Sequence, residues 1–188
     1  MVLLFAPGVL WADDFDAGYD AYKAGDYETA YEIWLPMAVK GHAHAQTLLG
    51  FMYQNGQGVV QDYVEAARWY RLAAEQGVTG SQNNLGIMYE KGQGVIQDYA
   101  EAARWYRLSA EQGFAQAQFN LGRMYGLGNG VIQDHSTAHV WFNIAARNGG
   151  SNAAHNRDAA ADRMTPEAIA EAQRRARICI ESDYQDCY

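Results

Sequence analysis

Sliding the 188-residue chain along itself by 36 positions superimposes residues 63–98 on residues 99–134 with identity at 25 of 36 positions. The two segments read YVEAARWYRLAAEQGVTGSQNNLGIMYEKGQGVIQD and YAEAARWYRLSAEQGFAQAQFNLGRMYGLGNGVIQD. A period of this length confines the chain to an array whose units bury their apolar faces against neighbours, a solenoid or a propeller. Fainter copies flank the central pair. Residues 26–62 keep Trp34, Gly41, Gly50, Tyr53 and Gly-Gln-Gly-Val, and residues 135–158 keep Trp141, Ala145, Ala146, Gly149 and Asn156. Trp34, Trp69, Trp105 and Trp141 then mark the period at steps of 35, 36 and 36.

Within each unit the pattern is helical. Ala66, Trp69, Tyr70, Ala73 and Ala74 follow the stripe of an amphipathic helix, and Leu85, Met88 and Tyr89 mark a second. A helical hairpin per unit is therefore expected. Asp62 with Glu65, and Asp98 with Glu101, predict an N-cap followed by an acid at N3, both favourable at the positive end of a helix. The 19 glycines look excessive for a helical chain, because glycine in a helix interior costs about 1 kcal/mol relative to alanine. Their placement resolves this. Gly77, Gly92, Gly113 and Gly149 fall where a helix must stop in a left-handed conformation. Gly50, Gly86 and Gly122 lie inside the second helix, which predicts a neighbouring helix too close for a Cβ.

Together these residues resemble the Sel-one-like repeat (SLR), a relative of the tetratricopeptide repeat. Its pattern is A-x-x-W-Y-x-x-A-A-x-x-G in the first helix, L-G-x-x-Y in the second, and a G-x-G-V loop ending in Asp. The resemblance covers roughly residues 26–158, in units 26–62, 63–98, 99–134 and 135–158. The last unit departs from it, with Arg157 and Asp158 in place of the Leu-Gly pair. A terminal unit that stacks on no further neighbour exchanges apolar contacts for soluble ones. The resemblance implies an all-α, right-handed superhelical solenoid of about four hairpins. Residues 13–25 then form an amino-terminal capping helix and residues 159–188 a carboxy-terminal capping helix and tail. Thr165, Pro166 and Glu167 supply the start of that last helix.

By analogy with tetratricopeptide arrays, first helices line the binding groove. Tyr63, Tyr99 and His135 recur there at one phase, Arg68 and Arg104 at a second, and Arg71 and Arg107 at a third. Tyr and Arg are the anchors of many binding hot spots; the other reading is solvated side chains that support the hairpin. Asn84, Asn120 and Asn156 recur just ahead of the Leu-Gly position. An amide carries two donors and an acceptor, so such a ladder can hold an extended peptide backbone or satisfy carbonyls of its own repeat. Trp69, Trp105, Tyr70 and Tyr106 are assigned to the core. His135 and His139, spaced i, i+4, are either surface imidazoles or a metal pair, as are His42 and His44. No nucleophile with a base is recognisable, and no Lys-Ser/Thr follows the Gly-x-Gly-Val loops, so no cofactor is expected.

Residues 1–12 read as a signal-peptide remnant: Val2 to Leu10 is an apolar run of h-region length, and Leu10-Trp11-Ala12 suits a cleavage site before Asp13. Export makes Cys179 and Cys187, eight apart, a reasonable disulfide, with free thiols or a metal pair as alternatives. A net charge of −8 argues against nucleic acid as partner. The expected function is an exported, periplasmic or secreted scaffold or adaptor for a protein or peptide, with no integral membrane segment in the mature chain. The alternative is a secreted β-lactamase-like or penicillin-binding enzyme. Cysteine-rich SLR relatives of that kind pair cysteines eight apart in successive repeats. This chain has the spacing once, outside the array.

Overall fold

The computed structural model describes residues 10–150 and 152–187, with side chains from Asp14 onward. The expected leader lies outside the described residues, apart from its last three positions, which open the first helix. Among the described residues every regular element is a helix, ten in all. The chain divides into two compact units after Val78.

The first unit contains α1 (Leu10–Lys23), α2 (Tyr27–Val39), α3 (Ala43–Asn55) and α4 (Tyr63–Glu75). α2 and α4 start where an aspartate can take up their free N–H groups: Asp26 accepts from Thr29 N–H at 3.2 Å, and Asp62 from Val64 and Glu65 N–H at 2.8 and 3.2 Å. The acid at N3 does not reach back to complete a capping box. Asp62 N–H is already donated to the Tyr53 carbonyl at 3.0 Å, and Glu65 turns forward to Arg68 at 2.9 Å.

The caps also correct the register of the tryptophans. Trp34 stands eight residues after Asp26, as Tyr70 stands eight after Asp62. Trp34 is therefore the counterpart of Tyr70, and the 35-residue step is a slip of one position. Packing agrees: a Cβ at Gly18 of α1 would overlap the Trp34 indole, and one at Gly50 of α3 would lie 2.7 Å from Tyr70 Cδ1. Trp34 is fully buried and its Nε1 donates to the Phe15 carbonyl at 3.2 Å. The core of this unit gathers Trp34, Met37, Leu49, Met52 and Trp69.

The second unit contains α5 (Thr79–Lys91), α6 (Tyr99–Ala110), α7 (Ala115–Leu127), α8 (His135–Arg147), α9 (Ala153–Ala161) and α10 (Pro166–Glu181). The interior glycines do what their recurrence predicts. Cβ atoms at Gly86 and Gly122 would lie 2.7 Å from Tyr106 Cε1 and 2.9 Å from Phe142 Cδ1, so α5 and α7 each receive a ring from the next first helix. Gly113, at φ +83°, ends a first helix in the left-handed region as expected. Tyr106 donates its hydroxyl to Glu90 at 2.7 Å, and Glu90 is paired with Arg123 at 2.6 Å. Thirty-six residues on, Gly126 replaces Glu90 and Phe142 replaces Tyr106, so hydroxyl and acceptor disappear together. Neither is left buried without a partner.

The core of this unit joins Leu121, Met124, Trp141 and Ile144 to Ala172 and Ala176 of α10. Thr165 caps α10 by accepting from Ala168 N–H at 3.3 Å, with Pro166 in the first helical turn. Cys179 and Cys187 form a disulfide, both sulfur-bearing residues are buried, and no cysteine is free among the described residues.

Candidate protein-interaction surface

On α4, Arg68 is ion-paired with Glu65 one turn earlier at 2.9 Å, and its guanidinium lies 4.0 Å from the centroid of the Trp69 ring. On α6 the same arrangement recurs: Arg104 pairs with Glu101 at 3.0 Å and lies 4.2 Å from the Trp105 centroid. The glutamate and the indole face together hold each guanidinium in one orientation before any partner arrives, which lowers the ordering cost of binding. Both tryptophans are buried, yet neither Nε1 has a hydrogen-bond partner. Both therefore belong to the core as expected, each keeping an indole N–H that no described residue accepts.

In the first unit this edge opens onto a groove of about 560 Å³ lined by Val39, Arg68, Trp69, Leu72, Glu75 and Gln76. Val39 is apolar and 69 % exposed. The groove thus offers an apolar wall, a held cation and a carboxylate.

The other sequence-predicted residues divide between the open flank and the interior. Tyr63 and Tyr99 accept from Gln61 and Gln97 Nε2 at 3.1 and 3.2 Å, and Tyr99 stays exposed. Arg71 is half-buried. Arg107, also half-buried, donates to the Tyr125 hydroxyl at 2.8 Å. Asn84 is half-buried, whereas Asn120 is buried and donates to Asn83 Oδ1 at 3.0 Å, while Gln116 Nε2 reaches its own oxygen at 3.4 Å. Asn120 is thus tied to a neighbouring helix, and its partner is Asn83, which sequence reasoning passed over.

A second buried amide set was also missed. Gln46, Gln82 and Gln118 accept from Gln76, Gln112 and Asn148 at 2.7, 2.8 and 2.9 Å. Their 36-residue spacing was available as a signal. These bonds lock a second helix to the end of the next first helix.

The histidine pair of α8 does not converge. His139 is 2 % exposed, contrary to a surface placement, and lines a cavity with α9 and α10, while His135 lines a different one beside Phe142. Burial, and after it the charge of Arg157, lowers the His139 pKa, with Asp158 opposing. His42 serves as the N-cap of α3, its Nδ1 accepting from Ala45 N–H at 3.2 Å. Among the described residues no three His, Cys, Asp or Glu side chains are grouped to hold a metal ion, and no helix is long and apolar enough to cross a membrane.

Repeated hairpins whose interior glycines receive a ring from the next unit define a helical-repeat protein. The Sel1 repeat profile matches residues 43–78, 79–114 and 115–150, and the chain belongs to the Sel1 repeat family. Each matched segment begins with a second helix, so it cuts the 36-residue period at another phase. Two solved structures share the fold. One is a protective antigen of uropathogenic Escherichia coli strains displaying an SLR fold, 39% identical at TM-score 0.71 over 73% of this chain and 30% of that one. The other is a Sel1 repeat protein from Oxalobacter formigenes, 37% identical at TM-score 0.70 over 75% of this chain and 56% of that one. The fold is accordingly an all-α solenoid. Two curated relatives are named exopolysaccharide production negative regulators: that of Rhizobium leguminosarum bv. viciae is 44% identical over 66 residues, and that of Rhizobium meliloti (strain 1021) 39% over 64. The match takes in 35% and 34% of this chain but only 25% and 24% of those relatives.

Proposed function

We propose that the chain is an exported regulator that binds an extended segment of another protein along its first-helix flank and catalyses no reaction. The observation that carries this is the recurring exposed guanidinium held between a glutamate and an indole face, at Arg68-Trp69 and again at Arg104-Trp105. A partner carboxylate can share the exposed guanidinium with Glu65 or Glu101. Export is supported by the apolar leader and by the Cys179–Cys187 disulfide, which persists in an oxidising compartment. A regulatory role is supported by the printed names of the two rhizobial relatives, over the quarter of their length that matches.

The test is quantitative recovery of a partner from envelope extracts, with wild-type bait against bait carrying Arg68→Ala, Arg104→Ala and Tyr99→Ala. These exposed ion pairs contribute no more than about 1 kcal/mol to stability, so the bait stays folded. Recovery of the wild-type partner is expected to fall by about tenfold or more, as loss of charged hydrogen bonds predicts. Equal recovery would remove the flank from the binding surface, and turnover of nitrocefin by the purified chain would overturn the non-enzymatic reading.

A further inference from the structure

The terminal hairpin is built with a short second helix. α9 has 9 residues where α7 has 13, and α10 packs on α8 alongside it. A cavity of about 480 Å³ is left between α8, α9 and α10, within the size range of small-molecule sites. We propose that this cavity binds a small hydroxylated carboxylate. The site is built from α8, α9 and α10, whereas the peptide-binding proposal rests on Arg68 of α4 and Arg104 of α6, so the inference is independent of that proposal.

Three features specify the ligand. The first is a buried polar group without a partner: His139 lines the cavity, is 2 % exposed, and its Nδ1 makes no hydrogen bond. The imidazole thus keeps hydrogen-bonding capacity that no described residue uses, on a side chain that lines the cavity. Both flanking neighbours in the cavity wall that bear on its charge, Arg157 and Asp158, come from α9, and Arg177 faces it from α10.

The second feature is the sign of the cavity. Arg157 is paired with Asp158 at 2.8 Å, which leaves the exposed Arg177 as the cation in no ion pair with a described residue. The planar fork of a guanidinium matches a carboxylate with two parallel bonds. The third feature is the amides. Asn143 and Gln173 each offer donors and an acceptor, and hydroxyl groups answer both at once. Ile169 supplies an apolar wall for the ligand's C–H face.

The experiment is isothermal titration of the purified full chain with D-gluconate, with neutral sorbitol, and with inorganic phosphate. Saturable binding of gluconate is expected, with no heat from sorbitol and weaker binding of phosphate. Arg177→Gln is expected to weaken gluconate by at least about tenfold, the effect of removing a charged hydrogen bond. Arg174→Gln is expected to leave it unchanged, because Arg174 is ion-paired with Glu171 and does not line the cavity. Both positions are exposed, and equal thermal unfolding of the two variants shows that the fold is retained. Absence of gluconate binding, or equal weakening by both variants, overturns the site. Phosphate binding as tight as gluconate overturns its assignment to carboxylates.

Discussion

Replacing Gly86 with alanine tests the packing rule that underlies the repeat. Helix propensity alone favours the change by about 1 kcal/mol. Packing opposes it: the new Cβ would sit 2.7 and 2.8 Å from two carbons of the Tyr106 ring and 3.3 Å from the Ala102 carbonyl oxygen. Tyr106 is fully buried and anchored through its hydroxyl to Glu90 at 2.7 Å, so the ring has no free direction in which to move. Overpacking costs about 1 to 3 kcal/mol. Displacing the hydroxyl from a charged acceptor costs about 1.5 to 3 kcal/mol more. Against the propensity gain, Gly86→Ala is expected to lower stability by about 1.5 to 5 kcal/mol. Gly80, on the same helix, has nothing within 4 Å of its would-be Cβ. Gly80→Ala should therefore raise stability, by up to about 1 kcal/mol. Urea unfolding followed by circular dichroism measures both. A Tyr106→Phe cycle locates the cause, because the phenylalanine should cost less in the Gly86→Ala background, where the hydroxyl bond is already lost. Stabilisation by both alanines, or a Tyr106→Phe cost unchanged by background, would refute the reasoning.

Two further outcomes follow from the ends of the helices. Reducing the Cys179–Cys187 bond, which closes a loop of sequence separation 8, should destabilise the chain by about 2.5 kcal/mol in the loop-entropy treatment. Thermal unfolding with and without reductant checks this, and a Cys187→Ser chain should match the reduced wild type. At Asp134, burial works against the charge, but bonds from the Thr137 hydroxyl and from Thr137 and Ser136 N–H outweigh it and hold the pKa below the ordinary 3.8. A lowered carboxylate contributes stability that is present above that value and lost as pH falls through the folded one. Asp134→Ala should therefore cost about 1 to 2 kcal/mol near neutral pH. The difference from wild type should shrink in urea unfolding carried out below pH 3.8.

Much of this architecture is legible in the sequence because it is local or periodic. A stripe of Ala66, Trp69, Tyr70, Ala73 and Ala74 names the buried face of α4, since side chains three and four apart share one side of a helix. Asp62, Asp98 and Asp134 announce helix starts because each oxygen bonds N–H groups two or three residues along. The recurrence of Gly50, Gly86 and Gly122 even discloses a tertiary contact, because only a nearby side chain explains glycine where alanine is intrinsically better.

The candidate sites were less legible, because their chemistry depends on which atoms find partners across the fold. Asn84 and Asn120 look equivalent by spacing, yet Asn120 pairs with Asn83 from 37 residues away. His135 and His139 look like a pair on one face, but α9 and α10 bury His139 and leave the two rings in separate cavities. Trp69 and Trp105 read as core, and only the packed structure leaves their indole nitrogens without acceptors. Trp34 shows the limit most simply: aligning tryptophans sets it opposite Trp69, while the cap at Asp26 and the contact with Gly18 set it opposite Tyr70. The repeat, the hairpins, their caps and the glycine crossings are thus written in the sequence by itself, because backbone periodicity and nearest-neighbour stacking translate directly into residue spacing. Which polar groups are satisfied, and where a cavity remains, is decided only in the tertiary structure, because each partner lies tens of residues away and the answer turns on distances of a few tenths of an ångström.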